Sequence, residues 1–118
     1  MKPHLLFVTK PTVSIGAALT HTGSFDGITI DNITGGSITF TGDYTRTGTG
    51  NAVAIGTSFG NTGGTITFGG GGTVTGGGNI LIEGTNSVAF NGATSVSGTA
   101  ANAVDVSGTS GNISFADL

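Results

Sequence analysis

Cysteine and tryptophan are absent from this chain of 118 residues, which also has only 2 prolines and 3 basic residues (Lys plus Arg). The absence of cysteine excludes a disulfide framework and thiolate metal sites. The three cations are too scattered to follow a phosphate backbone, so nucleic acid is not an expected partner. No apolar run approaches the length of a membrane span. The run at residues 5–8 stops at Lys10 and Pro11, too short for a signal peptide.

Charge is also scarce, since charged residues make up 8% of the chain, whereas glycine contributes 24 residues. High glycine content often accompanies disorder. However, disordered chains combine low hydrophobicity with high charge, and this chain has a mean hydropathy of +0.28. Its apolar residues, mainly Ile, Val and Phe, recur in regular pairs. The composition therefore favours a single domain of regular β structure.

Three short words recur along the chain with a common period. The first is a small or polar residue, then Ile or Val, any residue, and Phe, at residues 37–40, 65–68, 87–90 and 112–115. The second reads apolar-x-apolar and precedes each of these, at residues 28–30, 53–55, 80–82 and 104–106. The third follows the phenylalanines and is weaker, at residues 45–47, 73–75 and 95–97.

Each word alternates apolar and polar residues between turn-forming residues, which is the signal of a short strand with one buried face. A hairpin meander gives no reason for a word to return every 22 to 28 residues. In a solenoid that period is one circuit, and each strand pairs in parallel with its copy in the next coil. The sequence therefore predicts an all-β parallel solenoid of about four coils with three strands each.

The repeat predicts which side chains stack inside the solenoid. Strands of neighbouring coils lie about 4.8 Å apart, so equivalent side chains should form columns. Two aliphatic columns are expected from the apolar-x-apolar word. The predicted core stack of aromatic rings consists of Phe40, Phe68, Phe90 and Phe115.

Residues 61–68 (NTGGTITF) and 102–115 (NAVDVSGTSGNISF) resemble the β-strand repeats of large bacterial surface proteins, such as autotransporter passengers and haemagglutinin-like adhesins. The resemblance covers about residues 26 to 118 and implies a right-handed parallel β-helix. It further implies a structural or adhesive role at an extracellular or cell-surface location. The implied partners are a host or matrix surface, or the rest of a longer surface protein.

Residues 1–26 lack the repeat, so we expect them to form an irregular capping or docking segment before a solenoid at 27–118. An uncovered terminal coil exposes backbone groups and an apolar cross-section. At the C-terminal end, either a longer protein continues or a second copy docks head to tail, and the second option would produce filaments. The residues predicted to serve capping or assembly are Leu5, Leu6, Phe7, Val8, Val13, Ile15, Ile113 and Leu118.

Reactive side chains are sparse, so no catalytic, cofactor-binding or metal-binding residues are predicted, and the chain is not expected to be an enzyme. Asp31 and Glu83 fall at equivalent corners two coils apart, roughly 10 Å by strand spacing, and solvated corners explain them better than catalysis does. His4 and His21 have no third ligand spaced with them. The glycine-rich residues 69–78 lack the Lys-Ser/Thr ending of a phosphate loop and predict a flexible corner.

Two alternatives remain open. A carbohydrate-binding or carbohydrate-cleaving β-helix would need a groove lined by aromatic and acidic side chains, for which Tyr44 is the available aromatic. More remotely, outward threonine ladders on solenoids are the surfaces with which some antifreeze proteins match ice. Ala89 and Asn112 interrupt such a ladder on the phenylalanine strands. The simpler interpretation is that threonine suits an exposed strand.

Overall fold

In a computed structural model, the chain is an all-β parallel solenoid of about four turns. The structure describes residues 4–6 (backbone), 10, 12–76, 78–84, 86–97, 102–108 and 111–118. Three parallel sheets form its sides. Sheet A contains β1 (His4–Leu6), β4 (Ile28–Asp31), β7 (Val53–Ile55), β10 (Ile80–Ile82) and β13 (Val104–Val106). Sheet B contains β2 (Thr12–Ile15), β5 (Thr34–Phe40), β8 (Gly63–Phe68), β11 (Ser87–Phe90) and β14 (Ile113–Phe115). Sheet C contains β3 (Leu19–Thr22), β6 (Tyr44–Thr47), β9 (Gly72–Thr75) and β12 (Thr94–Val96).

The strands pair in the register that the repeated words predict. In sheet A, Ile30 lies beside Ile55, which lies beside Ile82. In sheet B, Phe40 lies beside Phe68, which lies beside Phe90. The prediction of a parallel solenoid with three strands per coil is therefore confirmed. Register is fixed because a slip of one residue would turn the buried face of a strand outward.

The predicted phenylalanine stack forms the centre of the core. The rings of Phe40 and Phe68 lie 4.8 Å apart, those of Phe68 and Phe90 4.6 Å, and those of Phe90 and Phe115 4.5 Å. Each pair is parallel to within 4°. The first three phenylalanines are buried, whereas Phe115 is only partly buried. The stack therefore ends with a ring that is covered on one face.

The segment before residue 27 is not irregular as predicted. Its strands β1, β2 and β3 pair in parallel with β4, β5 and β6 and form a turn of the solenoid. The repeated words do not predict this turn, because its inward positions on sheet C hold Leu19 and His21, which do not recur in later coils. Strand pairing requires only the alternation of inward and outward side chains. The predicted capping residues Phe7 and Val8 lie outside the described residues.

Tyr44 fills the interior of the solenoid across three turns of sheet C. A Cβ built on Gly72, the next residue in its column, would lie 2.2 Å from the ring carbon Cζ. The ring passes over this glycine, and its hydroxyl lies 3.4 Å from the Thr94 hydroxyl one turn further on. The sequence predicts a flexible corner over residues 69–78, but β9 (Gly72–Thr75) lies within this range. A glycine is needed at position 72 because the tyrosine occupies the space of its side chain.

Burial of Tyr44 should make the protein sensitive to alkali. Burial raises the pKa of the Tyr44 phenol above its ordinary value of 10.0, and the hydrogen bond with Thr94 opposes this shift. The folded-state pKa thus exceeds the unfolded value. The stabilisation is complete below about pH 10 and is lost as pH rises through the folded-state pKa. Since the chain has 1 tyrosine and no tryptophan, phenolate absorbance should appear together with unfolding. Tyr44→Phe should remove this part of the pH dependence; phenolate formation in the folded protein near pH 10 would contradict the assignment.

Candidate functional site

The two acidic side chains predicted at equivalent corners are kept apart by an intervening turn. The Gly56 amide donates to Ile30 O at 2.9 Å, and the Glu83 amide donates to Ile55 O at 2.8 Å, so Gly56 lies between Asp31 and Glu83 along the column. Glu83 is partly exposed, and one of its carboxylate oxygens lies 3.5 Å from the Ser107 hydroxyl. One turn of the solenoid therefore separates the two carboxylates.

Asp31 is not the solvated corner residue that the sequence predicts, because it is 0% exposed. The connection after β7 is longer than the other connections between sheets A and B, and its residues reach back over β4. The Ser58 amide lies 3.5 Å from Asp31 Oδ1, and the Asn32 amide donates to Phe59 O at 3.2 Å. Within the described part of the chain, Asp31 Oδ2 has no hydrogen-bond partner. The spacing of the repeated words does not predict that the connection after β7 covers Asp31.

Tyr44 is not available to stack against a sugar, because it is buried in the core. The exposed aromatic side chains of the described residues are instead Phe25, 67% exposed, and Phe59, 61% exposed. Both lie outside the repeated words, and that is the one sequence signal that distinguishes them from the inward phenylalanines. They lie in different connections, one before β4 and the other after β7.

Arg46 is a buried cation that the sequence pattern left unexplained. It occupies the inward position that Val74 holds in the next turn and is 1% exposed. Its Nη1 donates to Thr47 O at 2.6 Å, and its Nη2 donates to Phe25 O at 2.7 Å. Burial lowers the pKa of Arg46, and the neighbouring Asp26 carboxylate opposes the shift. The guanidinium therefore holds the corner between sheets C and A closed.

Both histidines lie in strands of the first turn, His4 in β1 and His21 in β3. His21 lies on β3 directly beside Arg46 in register. A small cavity among Leu19, Ile28 and Tyr44 is lined by this histidine as well. His4 is described only as a backbone position of β1. Among the described residues, no group of three or more His, Asp or Glu side chains is placed to hold a metal ion.

No helix that is long and apolar enough to cross a membrane occurs in the part of the chain that the structure describes.

Asn61 and Asn86 are buried at corners between sheets A and B, and they differ in their hydrogen bonding. Asn61 Oδ1 accepts from the Ile33 amide at 2.8 Å, and its Nδ2 donates to Ile30 O at 3.1 Å. The Asn86 side chain is also buried, but within the described residues neither of its polar amide atoms has a hydrogen-bond partner. Asn61 thus joins two turns, whereas Asn86 adds a desolvated amide to the core.

These two asparagines should respond oppositely to substitution. Asn61→Ala should cost about 1–3 kcal/mol because it leaves the buried Ile33 amide unsatisfied. Asn86→Ala should be neutral or stabilising, since an amide without hydrogen bonds contributes only its desolvation cost. Chemical denaturation of both variants measures the difference, and each is the control for the other. Equal losses in the two variants would contradict the hydrogen-bond assignment.

The outer face of sheet C carries two columns of hydroxyl side chains in register. Each strand has the pattern hydroxyl, inward residue, hydroxyl, and the hydroxyl side chains follow one another from turn to turn. Seven of the eight are exposed and Thr75 is half-buried. One column contains Thr20, Thr45, Thr73 and Ser95, and the other contains Thr22, Thr47, Thr75 and Ser97.

Sheet B has a less regular outer face. Its strands also place Ser and Thr outward, but Ala89 follows Thr67 in one column and lacks a hydroxyl. The other column ends at Asn112, whose amide lies 3.4 Å from the Ser87 hydroxyl. The interruptions that the sequence predicts are therefore confined to sheet B, and they leave the sheet C columns intact.

The C-terminal end exposes apolar side chains that are buried in earlier turns. Val106 is 42% exposed, whereas the residue before it in the column, Ile82, is 0% exposed. Ile113 is only partly buried, and Leu118 is 65% exposed. Of the other residues predicted to serve capping or assembly, Val13 and Ile15 are partly buried against the core. Leu5 and Leu6 are described as backbone positions of β1. Their role in assembly stays a prediction.

Comparison of this chain with known proteins finds no matching protein family, curated protein or solved structure.

Proposed function

We propose that the chain is a structural module, a rigid rod segment of the kind used in extracellular or bacterial cell-surface proteins, whose outer faces are available for adhesion. The observation that carries this proposal is the unbroken register of the inner columns. The stacked Phe40, Phe68, Phe90 and Phe115 repeat the same contact from turn to turn. In such a solenoid each turn contacts only its neighbours, so length is generated by repetition. The resemblance to surface-protein repeats supports the location.

A duplicated turn tests this property. A second copy of residues 87–111 inserted after residue 111 contains one strand for each sheet and adds one more ring to the phenylalanine stack. We expect the variant to fold, to lengthen by about 4.8 Å along the axis, and to be at least as stable as the parent. Small-angle scattering and thermal unfolding measure both. The control is an insert of the same composition with its order scrambled. An original-order insert that remains unfolded, like the scrambled one, would contradict the proposal.

A second candidate function is ice binding, and the regular outer face of sheet C favours it. Its hydroxyl columns repeat about every 4.8 Å between turns and about every 6.7 Å along each strand, since two residues separate them. A lattice of hydroxyl and methyl groups on one flat face is the kind of surface that can order water as a crystal does. The competing explanation is that threonine is favoured in exposed strands.

Thermal hysteresis and inhibition of ice recrystallisation test the second candidate. Thr73→Lys should abolish both activities, because it places a long charged side chain in the middle of the sheet C lattice. Thr65→Lys puts the same change on sheet B, where the side chain is also exposed, and should leave them intact. The absence of both activities in the parent chain, or equal losses in the two variants, would eliminate this candidate.

A further inference from the structure

The two ends of the sequence differ in charge. Four basic or titratable cationic side chains precede the first acid, Asp26: Lys2, His4, Lys10 and His21. After Arg46 the sequence contains no Lys, Arg or His, and the last two acids are Asp105 and Asp117. The N-terminal part of the sequence is therefore basic and the C-terminal part acidic. Because opposite potentials attract and like potentials repel, such ends are complementary to each other.

The C-terminal end also continues the geometry of the interior. In sheets A and B, β13 and β14 are the last strands, and each is paired on one side only among the described strands. The ring of Phe115 stacks on Phe90 with one face, and Val106 and Leu118 are 42% and 65% exposed. A strand added here would bury apolar side chains in the same way that β11 covers β8.

We propose that this end binds the first turn of a second copy of the chain, head to tail, so that β1 and β2 of the second copy extend sheets A and B. This proposal rests on the proposed structural function and names the partner. The intrachain register sets the contacts: Ile15 of the second copy would cover Phe115, and its Val13 would cover Ile113, because these residues share columns within one chain. His4 of the second copy would lie at the register position next to Asp105.

A tail-to-tail dimer is disfavoured by the same observations. It would bring Asp105 and Asp117 of both copies together, and a two-fold axis would make the joining strands antiparallel. Every strand pair within the described chain is parallel. A head-to-tail contact preserves both the strand direction and the charge complementarity. Since it leaves a free end on each copy, it grows without closing.

Sheet C takes little part in this contact. The Thr94 amide donates to Asp117 O at 3.0 Å, in the same way that the Gly72 amide donates to Ala93 O. Leu118 therefore starts the next level of sheet C, and a notch lies beside Ser95 and Val96 at that level. The β3 strand of the second copy would lie beyond the notch. The joint is thus formed through sheets A and B.

Directed disulfide formation tests the register, because the chain contains no cysteine of its own. Ser14 and Ser114 belong to one outward column, so the proposal places them side by side across the joint. Neighbouring strands are about 4.8 Å apart, within the range of Cα separations that a disulfide spans. A mixture of Ser14→Cys and Ser114→Cys proteins should give a mixed covalent dimer under mild oxidation. A dimer formed by Ser114→Cys alone, or no dimer at all, would overturn the proposal.

Sedimentation of the parent chain gives an independent measurement. Assembly should grow with protein concentration and weaken as salt increases, because screening shortens the reach of the end charges. Phe115→Asp should abolish assembly, whereas Phe59→Asp, at an exposed position in the connection after β7, should not. Both variants are checked for folding by circular dichroism. If Phe115→Asp unfolds, the disulfide test decides. A concentration-independent monomer in the parent chain overturns the head-to-tail contact, while a folded duplicated-turn variant would still support the rod module.

Discussion

Phe68→Ala is expected to destabilise the protein by about 3–5 kcal/mol, the usual cost of truncating a buried phenylalanine. Phe68 is the ring with the most aromatic neighbours in the core. It stacks between Phe40 and Phe90 at 4.8 and 4.6 Å and contacts Tyr44 at 5.5 Å. Each aromatic pair contributes about 0.5–1.5 kcal/mol beyond simple burial. Because both stack neighbours are held by their own strands, the vacated space cannot collapse.

Chemical denaturation measures this loss, and Phe25→Ala is the matched control. Phe25 is 67% exposed, so its truncation should change stability by no more than about 0.5 kcal/mol. If the two substitutions cost the same, then the ring at position 68 is not in a packed core, and the assignment of the stack is wrong.

Gly72→Ala should strongly destabilise the protein, because the new methyl group would overlap the buried Tyr44 ring rather than strain the backbone. The added Cβ would lie 2.2 Å from Tyr44 Cζ and 2.3 Å from its hydroxyl oxygen. The tyrosine is buried in the core beside Phe68, so it has little space into which to move. Overpacking of this kind costs about 1–3 kcal/mol, and we expect a loss of about 3 kcal/mol by thermal or chemical unfolding.

The steric origin of this loss is tested by compensation. Tyr44→Leu removes the outer ring atoms that the new methyl group meets. The double variant should therefore be more stable than the sum of the two single losses predicts. Gly60→Ala is the control, because a Cβ at that position meets nothing within 4 Å. Strict additivity of the two changes, or an equal loss in the control, would show that the tyrosine does not occupy the space over Gly72.

The repeated words predicted the parts of the fold in which side-chain pattern and strand register coincide. Ile28, Val53, Ile80 and Val104 stand in one column, as their spacing indicates. The first turn was missed because its inward side chains differ from those of later turns. Leu19 and His21 stand at the positions of Tyr44 and Arg46, and neither pair resembles the small residues that follow. A solenoid interior tolerates such changes if total volume is conserved, which a word search does not detect.

The surfaces were harder to predict than the core. Asp31 is covered by a connection that begins about 25 residues later in the chain, and Ser58 approaches it only in the folded state. Tyr44 is the aromatic that the sequence offers to a carbohydrate-binding groove, but its ring lies inside the solenoid over Gly72. The columns of sheet C were visible as separate threonine words. The two hydroxyl columns are continuous because β3, which contains no repeated word, adds Thr20 and Thr22 to them.

A rod module built by repetition requires each turn to add the same contacts in sheets A and B as the turn before it. Native-state amide hydrogen exchange on the variant with a duplicated turn of residues 87–111 tests this most directly. If this requirement is met, amides in the inserted strands will exchange as slowly as those of β8 and β11, because they are paired on both sides. Inserted amides that exchange at the rate of an unfolded peptide, while β8 stays protected, would contradict it.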